Sequence, residues 1–232
     1  VVIVATVRAL KMHGGVDKNN LQEENIEALK KGFANLAKHI ENMRQFDVPV
    51  LVGINKFSSD TDKEIAMLRS LCETYGVEVA LNNCWAEGGK GGLEMGEKVV
   101  QLLQQPQTPY QPLYDVNDTI PQKMETIVKK IYGGDGVIFE KNAQKQIAEL
   151  EKFGLDNMPI CVAKTQYSLS DDPTLLGAPS GFTVTVQDVR VCTGAGFIVC
   201  QTSNIMTMPG LPKVPAANRM DIDENGVITG LF

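Results

Sequence analysis

Three short runs hold the side chains that could do chemistry, and each follows an apolar stretch. The first is Arg8-Ala-Leu-Lys11-Met-His13-Gly14-Gly15. Arg8 and Lys11 could meet phosphate or carboxylate oxygens. Gly14 and Gly15, with no Cβ, would let the backbone come close to a ligand. A solvated surface loop would use the same residue types.

The second run is Gly53-Ile-Asn55-Lys56-Phe57-Ser58. Asn55-Lys56 resembles the Asn-Lys-x-Asp element with which some nucleotidases read a purine, but Ser58 stands where Asp is needed. Asp60 and Asp62 read as capping residues for a helix beginning near Lys63. Phe57 is an aromatic in a polar stretch just past a strand end, placed to stack on a flat heterocycle.

The third run is Asn82-Asn-Cys84-Trp85-Ala-Glu-Gly-Gly-Lys-Gly-Gly92, with the one tryptophan of the chain. Its glycines predict an open, flexible loop that presents Trp85 at a pocket mouth. Phe57 and Trp85 leave the ends of strands in one parallel sheet, so both should emerge at the same edge and could clamp a planar ring between them. Glu87 beside Lys90 reads as a loop ion pair. Gly89-Lys90-Gly91 fails the Walker A pattern, which needs Ser or Thr after the lysine, and no other window satisfies it. A complete GTPase-like domain is disfavoured by that and by Ser58.

Two remaining runs are weaker. Lys164 to Asp172 is densely polar and could offer hydroxyls and amides to a ligand, or simply close a turn with Asx and Ser caps. Met206 to Pro212 is rigid and apolar and reads as a packed surface strap or an interface segment.

The elements that position these runs follow from hydrophobic spacing. Residues 1–8 predict a buried strand, and residues 9–20 a polar loop. An apolar strand that opens the sequence calls for sheet partners on both sides. Ile26, Leu29, Phe33, Leu36, Ile40 and Met43 mark one face of a helix over Gln22 to Arg44. A strand over Val48 to Ile54, a helix over Lys63 to Tyr75, a strand over Val77 to Leu81 and a helix over Gly92 to Gln104 follow. This alternation predicts a parallel sheet with right-handed crossovers. A Pro- and Gln-rich linker, 104–112, precedes a different pattern. Helices are expected over Thr119 to Tyr132 and Asn142 to Phe153, a strand over Ile160 to Lys164, and two strands within Gly181 to Gln201, broken at Gly194-Ala-Gly196. The fold class is therefore α/β: a parallel sheet with flanking helices, followed by a smaller α+β domain. The expected divisions are 1–45, 46–108 and 109–232.

A chain of 232 residues with 43% hydrophobic and 22% charged residues is an ordinary globular composition. A net charge of −6 argues against a nucleic-acid scaffold. No apolar run approaches the ~20 residues of a membrane helix. Five cysteines in no C-x-x-C spacing, with two histidines, argue against a zinc site or a disulfide framework and for a reducing, cytoplasmic setting.

Taken together, several separated runs resemble the formate–tetrahydrofolate ligase family, in order along nearly the whole chain. They are Val4 to Gly15, Pro49 to Phe57, Trp85 to Gly91, Lys164 to Ser170, Gly194 to Phe197, Met208 to Pro212 and the closing Gly230-Leu-Phe232. The resemblance implies a P-loop NTPase-like ligase that joins formate to N10 of tetrahydrofolate, using ATP with Mg2+, through formyl phosphate. It implies a pterin held between Phe57 and Trp85, with Arg8, Lys11, His13, Gly14, Asn55 and Leu81 near the same cleft. It further implies a homo-oligomer, typically a tetramer, and a response to monovalent cations such as K+. The phosphate loop and the catalytic residues would lie upstream of Val1, so the chain reads as the folate-clamping C-terminal part, completed by an N-terminal portion. The alternative reading is a non-catalytic ligand-binding or assembly module derived from such a ligase.

Overall fold

The computed structural model describes residues 1–106, 108–202 and 212–230. Most of the apolar Met206–Pro212 run, and Leu231 and Phe232, lie outside the described residues. The first half is a strand–helix alternation. β1 (Val2–Ala5), β2 (Leu51–Asn55) and β3 (Glu78–Asn82) form a three-stranded sheet in that order, parallel throughout. Their carboxyl ends are level, with Ala5 opposite Ile54 and Asn55 opposite Asn82.

Helix α1 (Val7–His13) overturns two expectations. Residues 1–8 are not one buried strand, and residues 9–20 are not all loop. Thr6 ends the strand, and its hydroxyl accepts the Ala9 N–H at 3.1 Å, capping a helix that the β-branched run before it conceals. β1 is also less covered than its composition suggests. Val2 and Val4 are exposed, and among the described residues β1 pairs with β2 alone.

Helix α2 (Ile26–Arg44) crosses α1 at backbone contact. A Cβ on Gly32 would sit 1.8 Å from the Leu10 carbonyl oxygen, and one on Gly14 would sit 2.0 Å from that of Ala28. Helix α3 (Asp62–Thr74) begins at a capping box in which Thr61 and Glu64 exchange side-chain-to-backbone hydrogen bonds. One core unites these elements, with Val7, Leu29, Leu36 and Ile40 packed on Val52, Ile54, Leu68 and Val79. It draws on residues before and after position 45. A one-turn helix, α4 (Cys84–Glu87), and α5 (Leu93–Gln104) complete this half.

The second half has its own core. Helix α6 (Ile120–Thr126) runs on into a π-helical turn, Ile127–Tyr132. β4 (Gly136–Phe139) pairs in parallel with β6 (Thr183–Val186). β5 (Ile160–Ala163), β8 (Phe197–Gln201) and β7 (Asp188–Cys192) form a mixed sheet in that order. The expected two strands within Gly181 to Gln201 are three, because the first breaks at Gln187. Helix α7 (Lys141–Lys152) packs on this layer, with Ile120, Met124, Ile147, Val184 and Ile198 in the interior. A short hairpin, β9 (Asp221–Ile222) and β10 (Ile228–Thr229), follows. The halves meet where Asn35 Nδ2 donates to the Gly177 carbonyl at 2.8 Å and Phe46 stacks on Tyr110. No helix among the described residues is long and apolar enough to cross a membrane.

One ion pair lies in the interior. Lys11 and Glu64, both fully buried, meet at 2.8 Å. Lys11 Nζ also donates to the Glu23 carbonyl at 2.8 Å, and Glu64 Oε1 accepts the Asn25 N–H at 3.0 Å. Burial alone would raise the Glu64 carboxyl. The Lys11 ammonium and two backbone N–H groups outweigh it and hold the group below its usual range. Its contribution to stability is therefore complete at neutral pH and is lost as pH falls through the depressed value. Lys11→Met should lower stability at neutral pH by about 3–5 kcal/mol, because it strands a buried carboxylate. Its loss on further acidification should be shallower than that of the wild-type chain. Urea unfolding from neutral pH into the acid range measures both; equal stability at neutral pH would contradict the assignment.

Candidate functional site

Phe57 and Trp85 follow adjacent parallel strands and come out at one sheet edge. β2 ends at Asn55 and β3 at Asn82, which are register partners, and the Lys56 N–H donates to the Asn82 carbonyl at 3.0 Å. Phe57 lies two residues beyond the first strand and Trp85 three beyond the second. Phe57 is half-buried, and Trp85 is 72% exposed. In open parallel sheets this edge is where ligands bind.

The Phe57 turn is closed from both sides. Asp60 Oδ2 accepts the Phe57 N–H at 2.8 Å, and the Asp60 N–H donates to the Phe57 carbonyl at 3.0 Å. The expectation that Asp60 caps α3 is corrected, since Thr61 does that. Asp62 sits in the first turn of α3, where the helix dipole favours it. The Arg8 guanidinium lies over the Phe57 ring, 5.3 Å from its centroid. Of the cationic residues in the first run, Arg8 is the one brought to the aromatic edge.

Lys11 and Gly14 both make contacts within the fold. Lys11 is not a cleft cation, because α1 turns it inward onto Glu64. Gly14 makes room for the Ala28 carbonyl of α2. His13 points to the second half of the chain, where its Nδ1 accepts the Gly177 N–H at 3.1 Å. Burial, and then neighbouring His39, lower its pKa, so it is neutral at physiological pH. Leu81 contributes its backbone, with its N–H donating to Glu94 Oε2 at 3.0 Å. Asn55 stays at the strand end opposite Asn82.

The turn carrying Trp85 is wound rather than loose. Asn82 Oδ1 accepts the Cys84 N–H at 3.1 Å, and the Ala86 and Glu87 N–H groups both donate to the Asn83 carbonyl at 3.1 Å. Asn83 returns its own N–H to the Gly91 carbonyl at 2.9 Å. Glu87 accepts from the Asn83 amide, not from Lys90 as expected. Behind the turn, Arg69 grips Glu94 through two bonds of 2.8 Å, joining α3 to α5. An Asn just before the turn was the available signal for its cap.

An apolar cavity of about 840 Å³ lies beside this edge, on the sheet face between β1 and α5. Val2, Val4, Gly53, Met95 and Val99 line it, with Asn82 and Cys84 at one end; Phe57 and Trp85 are not in its wall. The Lys164–Asp172 run satisfies itself. Lys164 Nζ donates to the carbonyls of Thr165, Ser168 and Ser170, and Ser168 Oγ donates to the Leu175 carbonyl at 2.6 Å. That favours the turn over a ligand site.

The fold is a parallel α/β sheet that presents two aromatics and a cation at its carboxyl edge. The sequence of the whole chain narrows this further. The model of the formate–tetrahydrofolate ligase family matches residues 1–232, and the chain belongs to that family.

The Trp85 turn depends on Gly91, where a Cβ would sit 2.4 Å from the Asn83 carbonyl, whereas Gly89 faces open space. Gly91→Ala should cost about 1–3 kcal/mol and change the emission of Trp85. Gly89→Ala should leave both unchanged. Thermal melts and Trp emission spectra of the two variants check this, and equal behaviour would contradict the packing described.

Proposed function

We propose that this chain is the folate-binding part of a formate–tetrahydrofolate ligase. The reading is carried by one observation: Phe57 and Trp85 leave neighbouring parallel strands at the same edge, with Trp85 open to solvent. The family match over residues 1–232 supports it independently. In the reaction, a formate oxygen attacks the terminal phosphorus of ATP and ADP leaves. N10 of tetrahydrofolate then attacks the formyl carbon, and phosphate leaves. Formate alone has no adequate leaving group, which is why the phosphorylation precedes transfer.

The part of these residues is to hold and orient. The two rings sandwich the pterin, which fixes the plane of the folate and the direction of N10. Arg8 brings positive charge to the same edge and suits an anionic reactant. ATP is to be cradled by sequence outside residues 1–232, because no window of this chain forms a phosphate loop. Among the described residues no three His, Cys, Asp or Glu side chains come together to hold a metal ion. K+ activation, assembly into a homo-oligomer and a cytoplasmic setting belong to the same proposal.

Phe57→Ala and Trp85→Ala should each weaken tetrahydrofolate binding by ~1 kcal/mol, about fivefold. Titration calorimetry on the chain checks this, and steady-state KM checks it in an enzyme completed by the N-terminal portion. The chain alone should bind folate and not turn over ATP. ATP turnover by the chain alone, or folate affinity indifferent to both substitutions, would contradict the proposal.

A further inference from the structure

The folate-binding reading leaves one buried acid unused. Asp60 is 7% exposed, in the turn between β2 and α3, and it neither caps the helix nor pairs with a cation. One carboxylate oxygen accepts the Phe57 N–H at 2.8 Å. The other, Oδ1, is buried with no hydrogen-bond partner. An unsatisfied buried carboxylate oxygen is costly, so its retention calls for an explanation. Burial pushes the Asp60 carboxyl above its usual range. The Glu64 carboxylate adds to the rise, while the Phe57 N–H, Lys11 and Arg8 oppose it.

What the acid does is local. It holds both backbone polar groups of Phe57, one through its side chain and one through its own N–H. Arg8, from α1, lies over the ring of the same residue. Phe57 is thus gripped at the backbone from the α3 side and at the ring from the α1 side. Such a grip lets an aromatic at a solvent-facing edge hold one orientation before a ligand arrives, which reduces the ordering cost of binding.

We propose that Asp60 is a positioning residue for the folate-binding ring pair, acting through Phe57 and not by touching the ligand. This rests on the proposed function above. Because Thr61 and Glu64 start α3 without it, Asp60→Ala leaves the helix cap intact. Asp60→Asn keeps an oxygen that can accept the Phe57 N–H and serves as the rescuing variant.

The test is a double-mutant cycle read by calorimetric titration of tetrahydrofolate into the chain. Asp60→Ala should weaken binding about two- to fivefold, up to the whole contribution of the Phe57 ring and no further. Asp60→Asn should restore most of that affinity. In a Phe57→Ala background, Asp60→Ala should have almost no further effect, because the residue it positions is gone. A purely structural role would instead subtract the same amount in both backgrounds. The proposal is overturned if Asp60→Ala binds like wild type, or if its loss is fully additive with Phe57→Ala. If wild type binds folate and Phe57→Ala binds equally well, the folate-clamp reading itself fails. If wild type does not bind at all, both fall together.

Discussion

The Lys11–Glu64 pair is the constraint on which the candidate site depends. It is fully buried, it joins helix α1 to the start of α3, and through Asn25 and Glu23 it reaches the start of α2. Two charges in a low-dielectric interior have no neutral alternative position, because separating them leaves each uncompensated. The rotation of α1 about its axis is fixed with Lys11 inward. That rotation decides where Arg8, one turn earlier, ends up, and Arg8 ends up over Phe57. The start of α3 is fixed at the same point, and Asp60 lies immediately before it. The orientation of one aromatic at the sheet edge is thereby linked to a buried ion pair behind it.

The two aromatics are held by different means. Phe57 is gripped by charged groups on either side of its turn, while Trp85 rides on a single helical turn pinned by Asn82, Asn83 and Gly91. The Arg69–Glu94 pair ties that second turn to α3 through α5 and the Leu81 N–H. Helix α3 therefore contacts the supports of both rings. The apolar face between β1 and α5 stays separate from this machinery, although the two share Asn82 and Cys84.

Much of the architecture was legible in the sequence because it is written in local periodicity. The spacing from Ile26 to Met43 marks α2, and the alternation up to Gln104 gives the parallel sheet. The placing of Phe57 and Trp85 at one edge follows from that alternation alone. What escaped was long-range. Lys11 looks like a loop cation because its partner, Glu64, is far along the chain. Thr6 is hidden as a helix cap by the β-branched residues before it. Gly14 resembles a ligand-facing glycine until α2 is brought across it. Asp60 and Asp62 are alike as candidate caps, and only the fold separates a buried clamp on Phe57 from an ordinary first-turn acid.

The central claim is that folate sits against Trp85. Because Trp85 is the one tryptophan of the chain, 5-fluorotryptophan labelling gives a single fluorine resonance at the site. Titration with tetrahydrofolate should shift that resonance saturably, at the same concentrations at which calorimetry records binding. A resonance that stays still while binding proceeds would place the folate elsewhere and contradict the account.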